Sequence, residues 1–165
     1  MDNKDHRHVY QCPSVSARSE WQGAMDDLRQ WCHHHETNPD VIEVVIKCLQ
    51  AWRRGRRLPP YRGRNLLAHA YDAQRAIGWG CFPEGSLVPA WFQVHAQHFL
   101  LLGFRRTAKV WALGLIRQLW WMAFRMWQHR NGWQQNEENP QNLRRSIELN
   151  SQISDAFAQG SSTVR

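Results

Sequence analysis

The sequence predicts an all-α protein, an irregular bundle of five to six helices with a Trp-rich core and no sheet. Three observations carry this expectation. Apolar residues recur at three- and four-residue steps along most of the chain, and strand-like alternation is absent. Gly and Pro fall between the periodic stretches, where helices stop. Ten Trp in 165 residues require a core or a partner to cover rings of that size.

The first helix opens after Ser14 or Ser16, both suitable caps, and lays Ala17, Trp21, Ala24, Met25, Leu28, Trp31 and Cys32 on one face. The second is better marked. Asn38 caps it, Pro39 takes the first helical position, and Asp40 and Glu43 answer the positive end of the dipole. Its stripe is Val41, Ile42, Val45, Ile46, Leu49 and Trp52, and Gly55 is the expected left-handed terminator. Residues 56–64, with Pro59, Pro60 and Gly63, read as a linker or ordered loop.

A third helix begins near Asn65, aligns Leu66, Leu67, Ala70, Tyr71, Gln74 and Ile77, and stops at Gly78. The Gly-rich run 78–85 reads as a turn that tucks Trp79 and Phe82 inward. Ser86 is the expected cap of a fourth helix over 87–102, with Trp91, Val94, His95, His98 and Leu102 on one side and Gly103 at its end. The fifth and longest starts near Thr107 and is expected to close at Gly132, with a seam of Ala112, Ile116, Leu119, Trp120, Ala123 and Trp127. Trp111, Leu115, Met122 and Met126 lie off that seam, so the helix is apolar around much of its circumference and suits a central position. A last helix over 141–159 carries Leu143, Ile147, Asn150, Ile153 and Phe157, and Gly160 is expected to end it.

Composition narrows the function classes. The formal charge is +7, from 21 Lys and Arg against 14 Asp and Glu, and 42% of side chains are apolar. That is one ordinary domain with a real core, too small for a doubly wound enzyme with a second domain. The polar start offers no secretory signal, so an intracellular place, nucleus or cytoplasm, is expected. The four Cys (12, 32, 48 and 81) then read as reduced, partly buried thiols. The apolar stretch 108–127 contains Lys109, Arg117 and Arg125, and one central Arg costs about 2.5–3.5 kcal/mol in a bilayer, so no integral span is expected.

Several short motifs occur in a telling order: Thr37-Asn38-Pro39, Trp52-Arg53-Arg54-Gly55, Ile77-Gly78-Trp79, Arg105-Arg106-Thr107, a run from Leu115 to Trp120, and Met126-Trp127-Gln128-His129-Arg130-Asn131-Gly132. Over roughly residues 6 to 160 the chain resembles the helical region that follows reverse transcriptase in retrotransposon-derived, uncharacterised proteins of diatoms and other algae. The resemblance implies no active site here, the polymerase and nuclease carboxylates lying upstream. It also implies a zinc-knuckle-like element, Cys-x2-Cys followed by His-x3-Cys, ahead of the first helix. Only the second half, His8 and Cys12, is present. Two ligands do not close a tetrahedral site, so no cofactor is expected unless an upstream Cys-x2-Cys supplies the rest. On this reading residues 1–13 are a disordered remnant of a truncated element, 14–160 one helical domain with a basic Pro/Arg loop at 53–64, and 161–165 a frayed tail.

The strongest candidate binding feature is Arg53, Arg54, Arg56, Arg57, Tyr61, Arg62 and Arg64, a cluster without an acid. Guanidinium groups suit phosphate, and a Tyr ring suits stacking on a base. The competing reading is a solvated helix end whose arginines answer the dipole. A second asymmetry lies between Glu84 and Glu137, which hold six Lys or Arg between them and no acid. His33, His34 and His35 are consecutive and point about 100° apart, so they do not share one metal by themselves; a zinc site completed by Cys32 and Cys48 is the alternative to the expected reading, a solvated helix end. Arg29 with His34 or His35 has the spacing of an all-α ribonuclease pair, but Gln30 is a poor match beside the arginine and the pair sits at a fraying helix end, so a non-enzymatic chain is expected. The expected partners are RNA or DNA, or the upstream reverse-transcriptase region. The alternative is a helical protein-interaction module completed by that region or by another partner; the sequence does not define an oligomeric state.

Overall fold

The computed structural model of the chain describes residues 10–11, 14–58, 61, 63, 65–135 and 140–161; of residues 133–135, 141–142 and 153–161 it describes the backbone alone. The architecture is all-α. Among the described residues six helices follow one another: α1 (Val15–His34), α2 (Pro39–Arg53), α3 (Leu66–Ile77), α4 (Ala90–Leu102), α5 (Ala108–Gln135) and α6 (Pro140–Ser161), with a 3-10 turn at Trp79–Cys81. No strand occurs among the described residues, and none of their helices is long and apolar enough to cross a membrane. The chain divides into two compact units, Met1–Trp127 and Gln128–Arg165.

Within the first unit, local chemistry sets the helix ends. The Ser14 hydroxyl accepts from the Ala17 amide, the Asn38 side-chain Oδ1 from the Asp40 and Val41 amides, and the Asn65 side chain from the Ala68 amide. Each satisfies an amide that the first helical turn leaves without an intrahelical partner. Gly55 and Gly103 end α2 and α4 with φ of +62° and +70°, the left-handed conformation that glycine adopts without steric penalty.

The core faces of α1 and α2 match the sequence periodicity. Trp21, Met25 and Leu28 of α1 and Val41, Val45 and Leu49 of α2 are buried, and α1 packs on α2. In the turn after α3, Trp79 and Phe82 are buried and stack at 5.0 Å between centroids, with Trp91 edge-on at 6.2 Å to each. A second cluster joins Tyr10, Trp21 and Trp52, with centroids 6.1 and 5.4 Å apart. Tyr10 lies within the segment read from sequence as a disordered remnant, yet it is buried, and its phenol is pushed up to about 12 by burial and then by Glu84.

Four expectations need correction. The α4 helix starts at Ala90, not 87, and Ser86 does not cap it. The carbonyl of Ser86 and the amide of Val88 are instead bound by the Gln74 side chain, and Pro89 disfavours helical geometry in the residue before it. Leu66 and Ile77 of α3 and Leu102 of α4 are exposed, not part of the core face. The seam of α5 is Trp111, Ala112, Leu115, Leu119, Met122 and Met126, whereas Trp120 and Trp127 are 58% and 51% exposed. A helix apolar on several sides gives periodicity no means of choosing among them, and Trp120 meets its polar need at the surface by donating to the Glu84 carbonyl at 3.0 Å. Finally, α5 passes through Gly132 and α6 through Gly160; a single interior Gly costs only about 1 kcal/mol against Ala, too little to end a helix alone.

In the second unit, Leu143, Ile147 and Leu149 of α6 are all at least half exposed.

Candidate nucleic-acid interface

The basic run at the end of α2 divides into an inward and an outward part. Arg53 turns in. Its Nε donates to the Tyr10 carbonyl at 2.7 Å, an Nη donates to the Ala17 carbonyl at 3.0 Å, and the guanidinium lies 5.0 Å over the Trp21 ring. It acts as a structural clamp of hydrogen bonds and cation–π contact. Beyond it Gly55 and Arg56 close the helix, their amides donating to the carbonyls of Trp52 and Ala51 at 3.0 and 2.9 Å. Arg54, Arg56 and Arg57 are exposed.

Tyr61 is half-buried and faces Tyr71 with 5.9 Å between centroids. It lines a small cleft of about 250 Å³ with Asp40, Glu43, Lys47, Cys48 and Tyr71. Two carboxylates there make it a poor seat for phosphate. Arg62 and Arg64, like His8 and Cys12, lie outside the described residues.

A second basic run follows α4 in the chain. Arg105, Arg106, Lys109 and Arg117 are exposed around the start of α5. Arg125 differs, pairing with Glu20 at 3.1 Å and with Asp27. Between the C-terminal turn of α1, Phe99 of α4 and the first turns of α5 lies a cleft of about 630 Å³. Trp31, His35, Val110, Leu113, Arg106 and Arg117 contribute to its walls and rim, and among the described residues no Asp or Glu lines it. His35 stacks on Trp31 at 4.2 Å and its Nδ1 is 2.9 Å from the Trp31 carbonyl. Gly114 lets Trp31 approach the α5 backbone so closely that a Cβ there would lie 2.6 Å from its Cζ2. Arg117 and Gln118 also line a neighbouring open cleft of about 570 Å³ with Trp120, Trp121 and Phe124. The rings of Trp121, Phe124 and Trp127 form an exposed ladder, 5.8 and 6.0 Å between successive centroids.

Sequence reasoning missed the α1–α5 cleft. The acid-free interval between Glu84 and Glu137 was its available signal, but Trp31 and His35 precede Arg106 by 75 and 71 positions, and no local pattern brings them there.

The residues weighed for catalysis and metal binding have local partners. Arg29 pairs with Asp26 at 3.1 Å, and His35 is held on Trp31. Cys32 and Cys48 are buried thiols, pushed up to about 11 and about 12 by burial, which disfavours the thiolate that metal ligation needs. Among the described residues no group of three or more His, Cys, Asp or Glu is placed to hold an ion.

In comparison with known proteins, no family model matches the chain, and neither a curated protein nor a solved structure matches it.

Proposed function

We propose that this chain is a non-catalytic helical module of mobile-element descent that binds nucleic acid weakly and without sequence preference. The observation that carries the reading is a set of seven exposed cations, Arg54, Arg56 and Arg57 after α2 and Arg105, Arg106, Lys109 and Arg117 about the start of α5. None of them pairs with a carboxylate among the described residues. Unpaired guanidinium and ammonium groups release counterions from a phosphate backbone, a contribution independent of base identity. The ordered motif set from Thr37-Asn38-Pro39 to the end of α5 supports the descent.

The test is titration of the full chain with an oligonucleotide across a salt series. Log affinity is expected to fall linearly with log salt. Alanine at Arg54, Arg56 and Arg57 should flatten the slope by about 0.7–0.9 for each phosphate no longer neutralised. Affinity independent of salt overturns the reading. A protein-interaction module is the second reading, favoured by the exposed Trp121, Phe124 and Trp127 ladder. A monodisperse monomer that binds no apolar dye counts against it.

A further inference from the structure

The cleft between α1 and α5 has a chemistry that the exposed arginines alone do not have. The geometry points to this cleft as the seat of one unpaired nucleotide of a bound strand, so that the ligand is single-stranded nucleic acid. The inference rests on the nucleic-acid reading above and adds strandedness and a site to it. Trp31 and the His35 ring stacked on it form an aromatic wall, Val110 and Leu113 an apolar rim, and Arg106 and Arg117 two cations on the same opening. An unpaired base suits the wall and its phosphates suit the arginines, which is the pairing of stacking with charge found in single-strand binders.

Size and charge argue for a single nucleotide. The cleft, about 630 Å³, lies in the range of small-ligand sites. A base inside a duplex has both faces stacked and its pairing edge occupied, so it enters such a cleft only after unstacking. Among the described residues no carboxylate lines the opening to repel phosphate. The wall is set by packing: the Nδ1 contact with the Trp31 carbonyl fixes His35 on the indole, and the missing Cβ of Gly114 gives the indole its place against α5.

The experiment compares a labelled oligothymidylate strand with a duplex containing it, at matched salt, on three full chains: unaltered, Arg106→Ala/Arg117→Ala, and Arg54→Ala/Arg56→Ala/Arg57→Ala. All five altered side chains are exposed, and circular dichroism verifies the helices. The strand is expected to bind at least about tenfold more tightly than the duplex. The Arg106/Arg117 variant should erase that preference, while the triple variant weakens both ligands alike and keeps it. Equal affinity for strand and duplex, or a preference that survives removal of Arg106 and Arg117, overturns the cleft and leaves general binding standing. Absence of salt-sensitive binding to either ligand overturns both readings.

Discussion

Trp111 on α5 donates its indole N–H to the Thr37 hydroxyl at 2.9 Å, across 74 positions of sequence. Both residues are buried. Thr37 directly follows Glu36, which holds a positive φ of 53°, and the Thr37 amide returns to the Cys32 carbonyl at 2.9 Å. The bond therefore ties α5 to the connection between α1 and α2.

Thr37→Val keeps the shape and removes the acceptor, leaving a buried indole N–H without a partner. A loss of about 1–3 kcal/mol in urea unfolding is expected. The double variant with Trp111→Phe should lose less than the sum of the two single changes; strict additivity would show that the hydrogen bond contributes nothing.

Gln74 is fully buried and organises the approach to α4. Its Oε1 accepts from the Val88 amide at 3.2 Å and the Trp91 indole at 3.1 Å, and its Nε2 donates to the Ser86 carbonyl at 3.1 Å. Its Nε2 also donates to the Gly78 carbonyl at 3.5 Å, so Gln74→Leu strands two donors and two acceptors, and a loss of about 3 kcal/mol or more is expected. Unchanged amide exchange at Val88 in that variant would contradict the assignment.

His95 predicts an acid-sensitive fold. It is fully buried, stacks on Trp111 at 3.7 Å, and neither ring nitrogen has a hydrogen-bond partner among the described residues. Burial, and then the nearby His98, lowers its pKa from 6.5 to about 3. The unfolded chain thus takes up the proton first. Its contribution to stability is complete above about pH 6.5 and is lost as pH falls toward 3, with a slope of up to about 1.4 kcal/mol per pH unit. His95→Phe should flatten urea midpoints between those limits by close to one proton, and an unaltered slope would rule the group out.

Gly114 should resist the usual benefit of alanine in a helix. That exchange ordinarily gains about 1 kcal/mol, but here the new methyl meets the Trp31 ring at 2.6 Å. Net destabilisation with a shift in Trp emission is the expected outcome of Gly114→Ala. A more stable protein would mean that the indole yields freely.

What the sequence revealed depended on how local the determining interaction is. The caps Ser14, Asn38 and Asn65 act within three residues; the sequence reading names Asn38 outright and Ser14 as one of two candidates, and places the start of a helix near Asn65. The buried faces of α1 and α2 were legible because their opposite sides are polar. The α5 seam was not, since Trp120, Trp121, Phe124 and Trp127 are as apolar as the residues actually buried. The start of α4 depends on Gln74, which is 12 positions from Ser86 and 17 from Trp91. The arginines after α2 were visible as a cluster, but only the fold shows Arg53 turned inward to the Tyr10 and Ala17 carbonyls.

That inward turn bears on where the polypeptide tolerates trimming. A shortened form starting at Ser14 would lose the phenol that packs on Trp21 and Trp52, together with a carbonyl acceptor of the guanidinium. Both indoles would lose a ring neighbour, and the shortened protein would gain an apolar spot beside a guanidinium that the Ala17 carbonyl still holds.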